Sequence, residues 1–339
     1  MSTTAAARQP SPELIFETMN AYQQTAALRA AIELDLFTAI GEGCHTAHEL
    51  ARRCNAADRG VRILADYMTI HGFLTKSGKE YSLTPDSAMF LDRRSPACMA
   101  NAYRFLNAPL FMENYMNFTA AVRKGGAPDN TGTLAPEDPL WVEFAHSMAP
   151  LMHLPAQGIA QLVGADAGKK CRVLDIAAGH GKFGIAIAQR NPQAEIVAVD
   201  WPNVLEVAKE NAEAAGVAAR YKTLPGRAFD VSFPSDCDIV LLTNFLHHFD
   251  PPTNEELLRK VHAALAEGGR AVTVEFVPNE DRITPPTPAA FSLVMLGSTP
   301  SGDAYTFAEY QQMFRNAGYR STELHALPPT FMSALIAVK

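Results

Sequence analysis

Two adjacent histidines in a short aromatic segment could carry out a proton transfer. The segment NFLHHFD, from Asn244 to Asp250, directly follows an apolar run that ends at Thr243. The pKa of histidine lies near neutrality, so a neutral imidazole can remove a proton from an attacking hydroxyl group. Ligands of open parallel sheets bind at the carboxyl ends of strands, which favours a catalytic role for His247. His248 is assigned to the strand edge, and the alternative is that both histidines only cap the strand.

A second segment has the composition of a loop that binds a nucleotide-containing ligand. In VLDIAAGHGKFG, from Val173 to Gly184, an apolar run with an acid leads into a turn of small residues. Small residues let a ligand approach the backbone closely, and the start of a following helix supplies free N–H groups. Asp200 ends the next apolar run, where a carboxylate can accept both hydroxyls of a ribose.

Two classes of ligand compete for this loop. The spacing Gly179-x-Gly181-x-x-Gly184 matches the fingerprint of dinucleotide-binding folds. However, Asp175 precedes the glycines, where it would repel a pyrophosphate but attract the amino group of a methionine moiety. About 170 residues precede the loop, so only one nucleotide-binding half follows it. These features favour a methionine-derived methyl donor.

The elements that would position these residues alternate between strands and helices from residue 171 onward. Predicted strands cover 172–176, 195–199, 219–223, 238–243, 270–276, 321–326 and 331–338, and predicted helices cover 182–190, 204–215, 254–266 and 306–317. This alternation predicts a parallel sheet with helices on both faces. The last two strands are separated only by LPPT, which is too short for a crossover helix. The final strand must therefore run antiparallel to its predecessor.

The N-terminal region is predicted to be mostly helical. Thr46 and Glu49 form a capping-box pattern, a helix is expected over 58–71, and the residues around KSGK, 76–79, are typical of a hairpin. This order predicts a winged helix within a domain of residues 1–105. The second domain is predicted to cover 106–339, with a helical segment at 106–165 that includes a loop at 125–130. The first helix carries a broad apolar stripe that a small domain cannot bury alone, which predicts a homodimer.

Composition and charge exclude several classes of protein. Of 339 residues 47% are hydrophobic and 19% are charged, and the net charge is −7, which disfavours nucleic-acid binding. The five cysteines are scattered and form no Cys-x-x-Cys pair. We find neither an apolar signal core over residues 1–10 nor a stretch of membrane-spanning length. We therefore expect a cytoplasmic protein that binds neither membranes nor nucleic acid.

From Pro12 to Lys339, the chain resembles a family of S-adenosylmethionine-dependent small-molecule O-methyltransferases. Its members carry an N-terminal winged-helix dimerisation domain and include plant phenolic and bacterial antibiotic-tailoring enzymes. The resemblance rests on the glycine-rich loop and on the histidine segment described above. It implies an α/β fold, with a doubly wound Rossmann-like sheet whose last strand is antiparallel. It also implies S-adenosylmethionine as the cofactor, and a homodimer.

The resemblance assigns one set of residues to the cofactor. Asp175, Gly179 and Gly181 would line its methionine end, although Ala177 and Ala178 stand where the family commonly has glycines. Asp200 would hold the ribose. Further cofactor contacts are assigned to Trp201, Arg227, Phe229 and Thr243. At Arg227 the family has an acid that binds the adenine amine.

The resemblance also implies a catalytic pair. His247 matches the histidine base of the family's Leu-His-Asp-Trp motif, and Glu275 matches an acid that orients this base. A second acidic partner would fall at Ala304, where Asp303 is the available substitute. No metal is expected. Flat and soft side chains should wall an aromatic acceptor's pocket: Phe111, Met112, Tyr115, Phe144, Met148, Phe291 and Met295.

The sequence leaves three other functions open. The acceptor atom could be carbon or nitrogen instead of oxygen. The protein could also be a cofactor-bound relative that does not transfer methyl groups, given Arg227, His248 and Ala304. A DNA-binding regulator is the remaining alternative, because winged helices also read DNA, but the helix over 58–71 has no basic run beside it.

Overall fold

The structure is a computed structural model that describes residues 10–128, 132–135, 137–165 and 168–339. Part of the predicted N-terminal stretch (residues 1–9) and part of the predicted loop at 125–130 (residues 129 and 130) lie outside the described residues. The chain divides into two compact units, residues 1–103 and 104–339. None of the described helices has both the length and the hydropathy needed to cross a bilayer.

The first unit contains one long helix, several shorter helices and one hairpin. Its elements are α1 (Glu13–Glu33), α2 (Leu36–Gly41), α3 (Ala47–Arg53), α4 (Asp58–Ile70), β1 (Leu74–Ser77), β2 (Glu80–Leu83) and α5 (Pro85–Phe90); α6 (Ala102–Leu106) contains the division between the units. Thr46 caps α3, because its hydroxyl accepts the N–H of Glu49 and the Glu49 carboxylate accepts the N–H of Thr46. β1 and β2 pair antiparallel, so the predicted helix–helix–hairpin order is confirmed.

Helix α1 packs only at its C-terminal end. Within it, the buried side chains are those of Ala31 and Ile32. Large apolar side chains in its first three turns remain exposed, including Phe16 at 61%, Met19 at 68% and Tyr22 at 67%. Within one chain, the apolar stripe that the sequence predicted is therefore buried only at its C-terminal end.

The second unit is an α/β structure. Four helices precede its sheet: α7 (Pro109–Met116), α8 (Phe118–Lys124), α9 (Pro139–Met148) and α10 (His153–Leu162). The sheet and its helices follow as β3 (Cys171–Ile176), α11 (Lys182–Arg190), β4 (Ala194–Asp200), α12 (Pro202–Ala214), β5 (Tyr221–Pro225), β6 (Cys237–Thr243), α13 (Pro251–Ala264), β7 (Leu265–Glu275), α14 (Pro286–Ser298), α15 (Phe307–Asn316), β8 (Ser321–Ala326) and β9 (Ser333–Val338).

The seven strands form one mixed sheet in the order β5-β4-β3-β6-β7-β9-β8. β3 to β7 run parallel, and β9 inserts between β7 and β8 antiparallel to both. Apolar cores cover both faces of the sheet. The predicted fold class and the antiparallel last strand are thus confirmed. The strand order reverses between β3 and β6, which is where ligands bind in open α/β sheets.

Several predicted boundaries differ from the structure, including the start of β7 at Leu265 instead of residue 270, and one helix was missed. β5 begins at Tyr221 because residues 218–220 form a short 3-10 turn. α13 begins at Pro251, after the Asp250 carboxylate accepts the N–H of Thr253 at 3.0 Å. It ends at Ala264, where β7 begins. α14 was not predicted, because its sequence PTPAAFSLVMLGS has no polar face to mark a helical period.

Candidate active site

A cavity of about 550 Å³ opens at the carboxyl ends of β3, β4, β6 and β7. Residues of α6, α7, α9 and α14 and of the segment after β5 contribute to its wall, and all of its lining residues belong to the second unit. The cavity contains the histidine segment and part of the glycine-rich loop. The two segments that the sequence singled out therefore meet at one site.

His247 is fixed by Glu275 at the end of β7. Nδ1 of His247 lies 2.5 Å from Oε2 of Glu275, and both side chains are buried. The other carboxylate oxygen, Oε1, accepts the backbone N–H groups of Phe245 at 3.2 Å and Leu246 at 3.0 Å. An ionised carboxylate can only accept hydrogen bonds, so Nδ1 of His247 carries the proton of this pair. Nε2 is consequently the ring nitrogen with a lone pair.

Aromatic rings enclose His247 on its other sides. The Phe291 ring lies edge-on, with its centroid 4.9 Å from the imidazole centroid. Phe276 stacks on Phe291 at 3.8 Å between ring centroids. This enclosure excludes water from the imidazole, which is 4% exposed. Hydrogen bonds and charges act more strongly in such a dry site than in water.

His248 occupies the cavity wall beside His247, with their ring centroids 4.4 Å apart. The ring of Trp141 lies nearly perpendicular to that of His248, with the two ring centroids 5.5 Å apart. Its Nδ1 is buried and has no hydrogen-bond partner among the described residues. Burial, and next the neighbouring His247, hold the pKa of His248 well below its usual value, so its ring is neutral. Nδ1 of His248 therefore caps no group of the described chain.

The second acidic partner is not supplied by Asp303. Its carboxylate pairs with Arg282 at 3.2 Å and accepts the backbone N–H of Ala304 at 2.8 Å. Ala304 is fully buried and has no group that could hold a proton. In the described part of the chain, Glu275 is thus the carboxylate that pairs with His247.

Asp200 connects the glycine-rich loop to the residue that follows β4, at the end of the cavity away from His247. One carboxylate oxygen accepts the N–H of Gly179 at 2.8 Å, and the other accepts the N–H of Trp201 at 2.7 Å. Burial raises the pKa of Asp200 to about 6, so the group is mostly ionised at pH 7. Gly179, Asp200 and Trp201 all line the cavity.

The structure places Asp175 and Gly181 beneath the loop and not on the cavity wall. Oδ2 of Asp175 accepts the N–H of Gly184 at 3.2 Å, while Oδ1 is buried without a partner in the described residues. Burial raises the pKa of Asp175 to about 8. Gly181 has a φ of 71°, and a Cβ there would lie 2.5 Å from the Tyr221 hydroxyl. Both residues shape the loop from below, because their side-chain positions point into the core.

Arg227, Phe229 and Thr243 line the same end of the cavity. The Arg227 guanidinium lies 4.9 Å from the centroid of the Phe229 ring. Nζ of Lys260 donates to the carbonyl oxygens of Ala228 and Phe229 at 2.9 and 2.8 Å, which fixes this segment. Three residues predicted to contact the cofactor therefore line one cavity.

Six of the seven residues predicted for the acceptor pocket line the cavity: Phe111, Tyr115, Phe144, Met148, Phe291 and Met295. Met112 does not, and it is 41% exposed. Successive residues on a helix are turned by about 100°, so Phe111 and Tyr115 share the inner face of α7 while Met112 points away.

The cavity also includes residues that sequence reasoning missed. His180 stacks against Phe144, and its Nδ1 accepts the N–H of Lys182 at 3.1 Å. Burial lowers the pKa of His180 to about 3, so the ring is neutral. Asn244 adopts a φ of 53° directly after β6, which is uncommon outside glycine. The position of Asn244 between β6 and His247 was the feature of the sequence that could have identified it as a site residue. Among the described residues, no group of three or more His, Cys, Asp or Glu side chains could hold a metal ion.

The comparisons with known proteins agree on one family. The profile of an O-methyltransferase domain matches residues 144–320, and that of an O-methyltransferase dimerisation domain matches residues 16–93. The fold and the matched domains define a methyltransferase. More narrowly, the chain belongs to the S-adenosylmethionine-dependent O-methyltransferase family, and its cofactor is S-adenosylmethionine.

Individual relatives support this assignment. A 3-hydroxy-5-methyl-1-naphthoate 3-O-methyltransferase of Streptomyces sahachiroi is 30% identical over 91% of this chain and 89% of its own. The tetracenomycin polyketide synthesis 8-O-methyl transferase of Streptomyces glaucescens is 26% identical over 93% of this chain and 94% of its own. A crystal structure from Nostoc punctiforme, with a provisional O-methyltransferase description, has a TM-score of 0.94 and 54% identity and covers 98% of this chain and 100% of its own.

Proposed function

We propose that this protein methylates a hydroxyl group of a small aromatic acceptor, with His247 as the general base. The observation that carries the proposal is the buried contact between Nδ1 of His247 and the Glu275 carboxylate at 2.5 Å. This contact leaves Nε2 as a proton acceptor, and His247 lines a cavity walled by aromatic side chains.

The polar end of the cavity fits S-adenosylmethionine. Each oxygen of the Asp200 carboxylate accepts one backbone N–H and keeps a lone pair for a ribose hydroxyl. Phe229 offers a half-buried ring to the adenine, and Thr243 a hydroxyl at the end of β6. We assign Gly179 and Trp201 to the same ligand because they flank Asp200 in the cavity. Asp175 and Gly181 act on it only through the loop.

The side chains of this protein supply three contributions to the reaction. S-adenosylmethionine provides the methyl group, so that an O–CH3 bond forms as the S–CH3 bond breaks. Nε2 of His247 takes the hydroxyl proton, because a phenol with a pKa of about 10 is mostly protonated near pH 7. The Glu275 carboxylate stabilises the resulting imidazolium, because its Oε2 lies 2.5 Å from Nδ1 of His247. The surrounding aromatic rings exclude water that would compete with the acceptor.

Product analysis tests this proposal directly. The enzyme is incubated with S-adenosylmethionine and a panel of phenols, and mass spectrometry measures the methylated products. Each phenol is matched with its own methyl ether, which lacks the reacting hydroxyl. We expect conversion of phenols and not of the ethers. Methylation of an ether would reveal transfer to carbon, and failure on every phenol would contradict the proposal.

We also propose that the exposed apolar face of α1 forms a homodimer interface. Phe16, Met19 and Tyr22 are each more than 60% exposed, although large apolar groups of this kind are usually covered. The match to a dimerisation domain over residues 16–93 supports the same partner. Light scattering should find a dimer at micromolar concentration. In a variant with Phe16→Asp and Met19→Asp we expect a monomer, whereas Glu17→Asp, an exposed change on the same helix, should remain dimeric.

A further inference from the structure

Charged side chains are confined to one end of the cavity. Among the described residues that line the cavity, the acidic and basic residues other than histidine are Asp200 and Arg227, and both belong to the proposed cofactor end. Arg227 is already near the Asp230 carboxylate, at 3.8 Å. An acceptor carboxylate buried among the remaining aromatic and aliphatic groups would lose its hydration without gaining a cation.

Most polar groups at the acceptor end already have partners within the protein. The Thr133 hydroxyl donates to the carbonyl oxygen of Ser298 at 3.1 Å, and the Ser298 hydroxyl donates to that of Val294 at 2.6 Å. The indole N–H of Trp141 donates to the carbonyl oxygen of Thr133 at 2.9 Å. The hydrogen-bond donors of these groups are therefore already used within the protein and are not free to bind an acceptor.

His248 is different, because its Nδ1 is buried and unpartnered among the described residues. One other such atom belongs to a lining residue, Oδ1 of Asn244, which directly follows β6 and Thr243. Buried polar atoms without a partner are rare in proteins, and both of these belong to residues that line the cavity. His248 lies beside the base, with its ring centroid 4.4 Å from that of His247.

We propose that His248 binds a second oxygen substituent of the acceptor, next to the hydroxyl that His247 deprotonates. The acceptor is then an uncharged aromatic with two adjacent oxygen substituents, such as a catechol or an ortho-hydroxyketone. A neutral imidazole has one N–H donor and one acceptor nitrogen, so it can pair with either a hydroxyl or a carbonyl group. This inference rests on the proposed function, because the position of the reacting hydroxyl is set by His247.

Three matched acceptors test the proposal: phenol with one oxygen, catechol with two adjacent oxygens, and salicylate with a carboxylate beside its hydroxyl. We measure kcat/KM for each, and divide the catechol value by two for its equivalent hydroxyls. The wild type should prefer catechol to phenol roughly tenfold, the usual worth of one hydrogen bond, and should disfavour salicylate. In His248→Phe the catechol-to-phenol ratio should fall to about one, whereas His248→Asn, which keeps a donor and an acceptor, should retain part of it.

His146→Phe is the control, because it makes the same substitution at an exposed histidine of α9 that does not line the cavity. Its catechol-to-phenol ratio should equal that of the wild type. A ratio that persists in His248→Phe, or that is lost equally in His146→Phe, overturns the assignment. So does a wild type that treats catechol and phenol alike, although the proposed function would then stand.

A binding measurement separates the two proposals if no phenol is methylated. Calorimetry with the enzyme and S-adenosylhomocysteine compares the affinities for catechol and phenol without any reaction, and S-adenosylhomocysteine binding itself reports that each variant is folded. A tenfold preference that disappears in His248→Phe supports the role of His248 even if the base assignment fails. Equal affinities in the wild type contradict it.

Discussion

The two ends of the cavity differ in how their polar groups are satisfied. At the proposed cofactor end, Asp200 is held by backbone N–H groups of Gly179 and Trp201. At the acceptor end, side chains define the wall, and one buried imidazole nitrogen of His248 has no partner in the described chain. A site built from backbone tolerates side-chain changes nearby, such as alanine at 177 and 178. A site built from side chains changes its specificity with each substitution.

The largest expected effect belongs to the acceptor end. His247→Gln should lower kcat/KM for a phenol by roughly a hundredfold to ten-thousandfold, the usual contribution of general acid–base catalysis. Affinity for S-adenosylhomocysteine, measured by calorimetry, should not change. His146→Gln, an exposed histidine of α9, is the control. Full activity of His247→Gln would refute the base assignment.

Glu275→Gln should give a smaller loss of kcat/KM than His247→Gln. The glutamine oxygen can still accept one hydrogen bond, but the amide cannot stabilise the imidazolium by charge. Steady-state kinetics on the same phenol check this order. A loss equal to that of His247→Gln would mean that the backbone contacts of Glu275 matter as much as its charge.

At the cofactor end, Asp200→Ala should weaken S-adenosylhomocysteine binding by about 1.5–3 kcal/mol, the cost of losing charge-assisted hydrogen bonds. Isothermal calorimetry measures the change. Asp86→Ala serves as the matched control, because Asp86 is exposed and does not line the cavity. Unchanged affinity in Asp200→Ala would remove this end of the cavity as the cofactor site.

Substitutions at two glycines of one loop distinguish the cost of backbone strain from the cost of a steric clash. Gly179→Ala and Gly181→Ala both place alanine at positive φ, which costs roughly 1–2 kcal/mol. A Cβ at Gly181 also approaches the Tyr221 hydroxyl to 2.5 Å, whereas at Gly179 the nearest atom is 3.5 Å away. Thermal unfolding should therefore show a larger loss for Gly181→Ala. The double variant with Tyr221→Phe should recover part of it, and no recovery would contradict the clash.

A further prediction concerns how the stability of the cofactor-free protein depends on pH. With its pKa raised to about 8, Asp175 binds a proton in the folded state that the unfolded chain loses near pH 4. The folded state thus loses stability as pH rises from about 4 to about 8. Asp175→Asn should weaken this dependence, so its stability relative to the wild type increases with pH. Urea unfolding at several pH values checks this, with the exposed Glu210→Gln as the unaffected control.

The sequence predicted the sheet well, because its strands are short apolar runs separated by helices of one clear period. The α/β class, the antiparallel last strand and the family are confirmed by the structure and the comparisons. Helix α14 was missed because it has no polar face, although Phe291 and Met295 were predicted for the pocket. The depth of Asp175 beneath the loop and the unpaired state of His248 depend on contacts between distant segments. A linear pattern does not contain such contacts.

Ala304 stands where the family resemblance places a second acid, which leaves Glu275 as the described carboxylate beside the proposed base. In the proposed mechanism, a neutral His247 beside an ionised Glu275 carries one negative charge before the reaction, and the pair carries none once the imidazole has accepted a proton. A second buried carboxylate would leave a net charge at the end of that step. Proton uptake here cancels a charge in a medium that hydrates charge poorly. The electrostatic penalty of the site is therefore highest in the resting enzyme and lowest when the proton has moved.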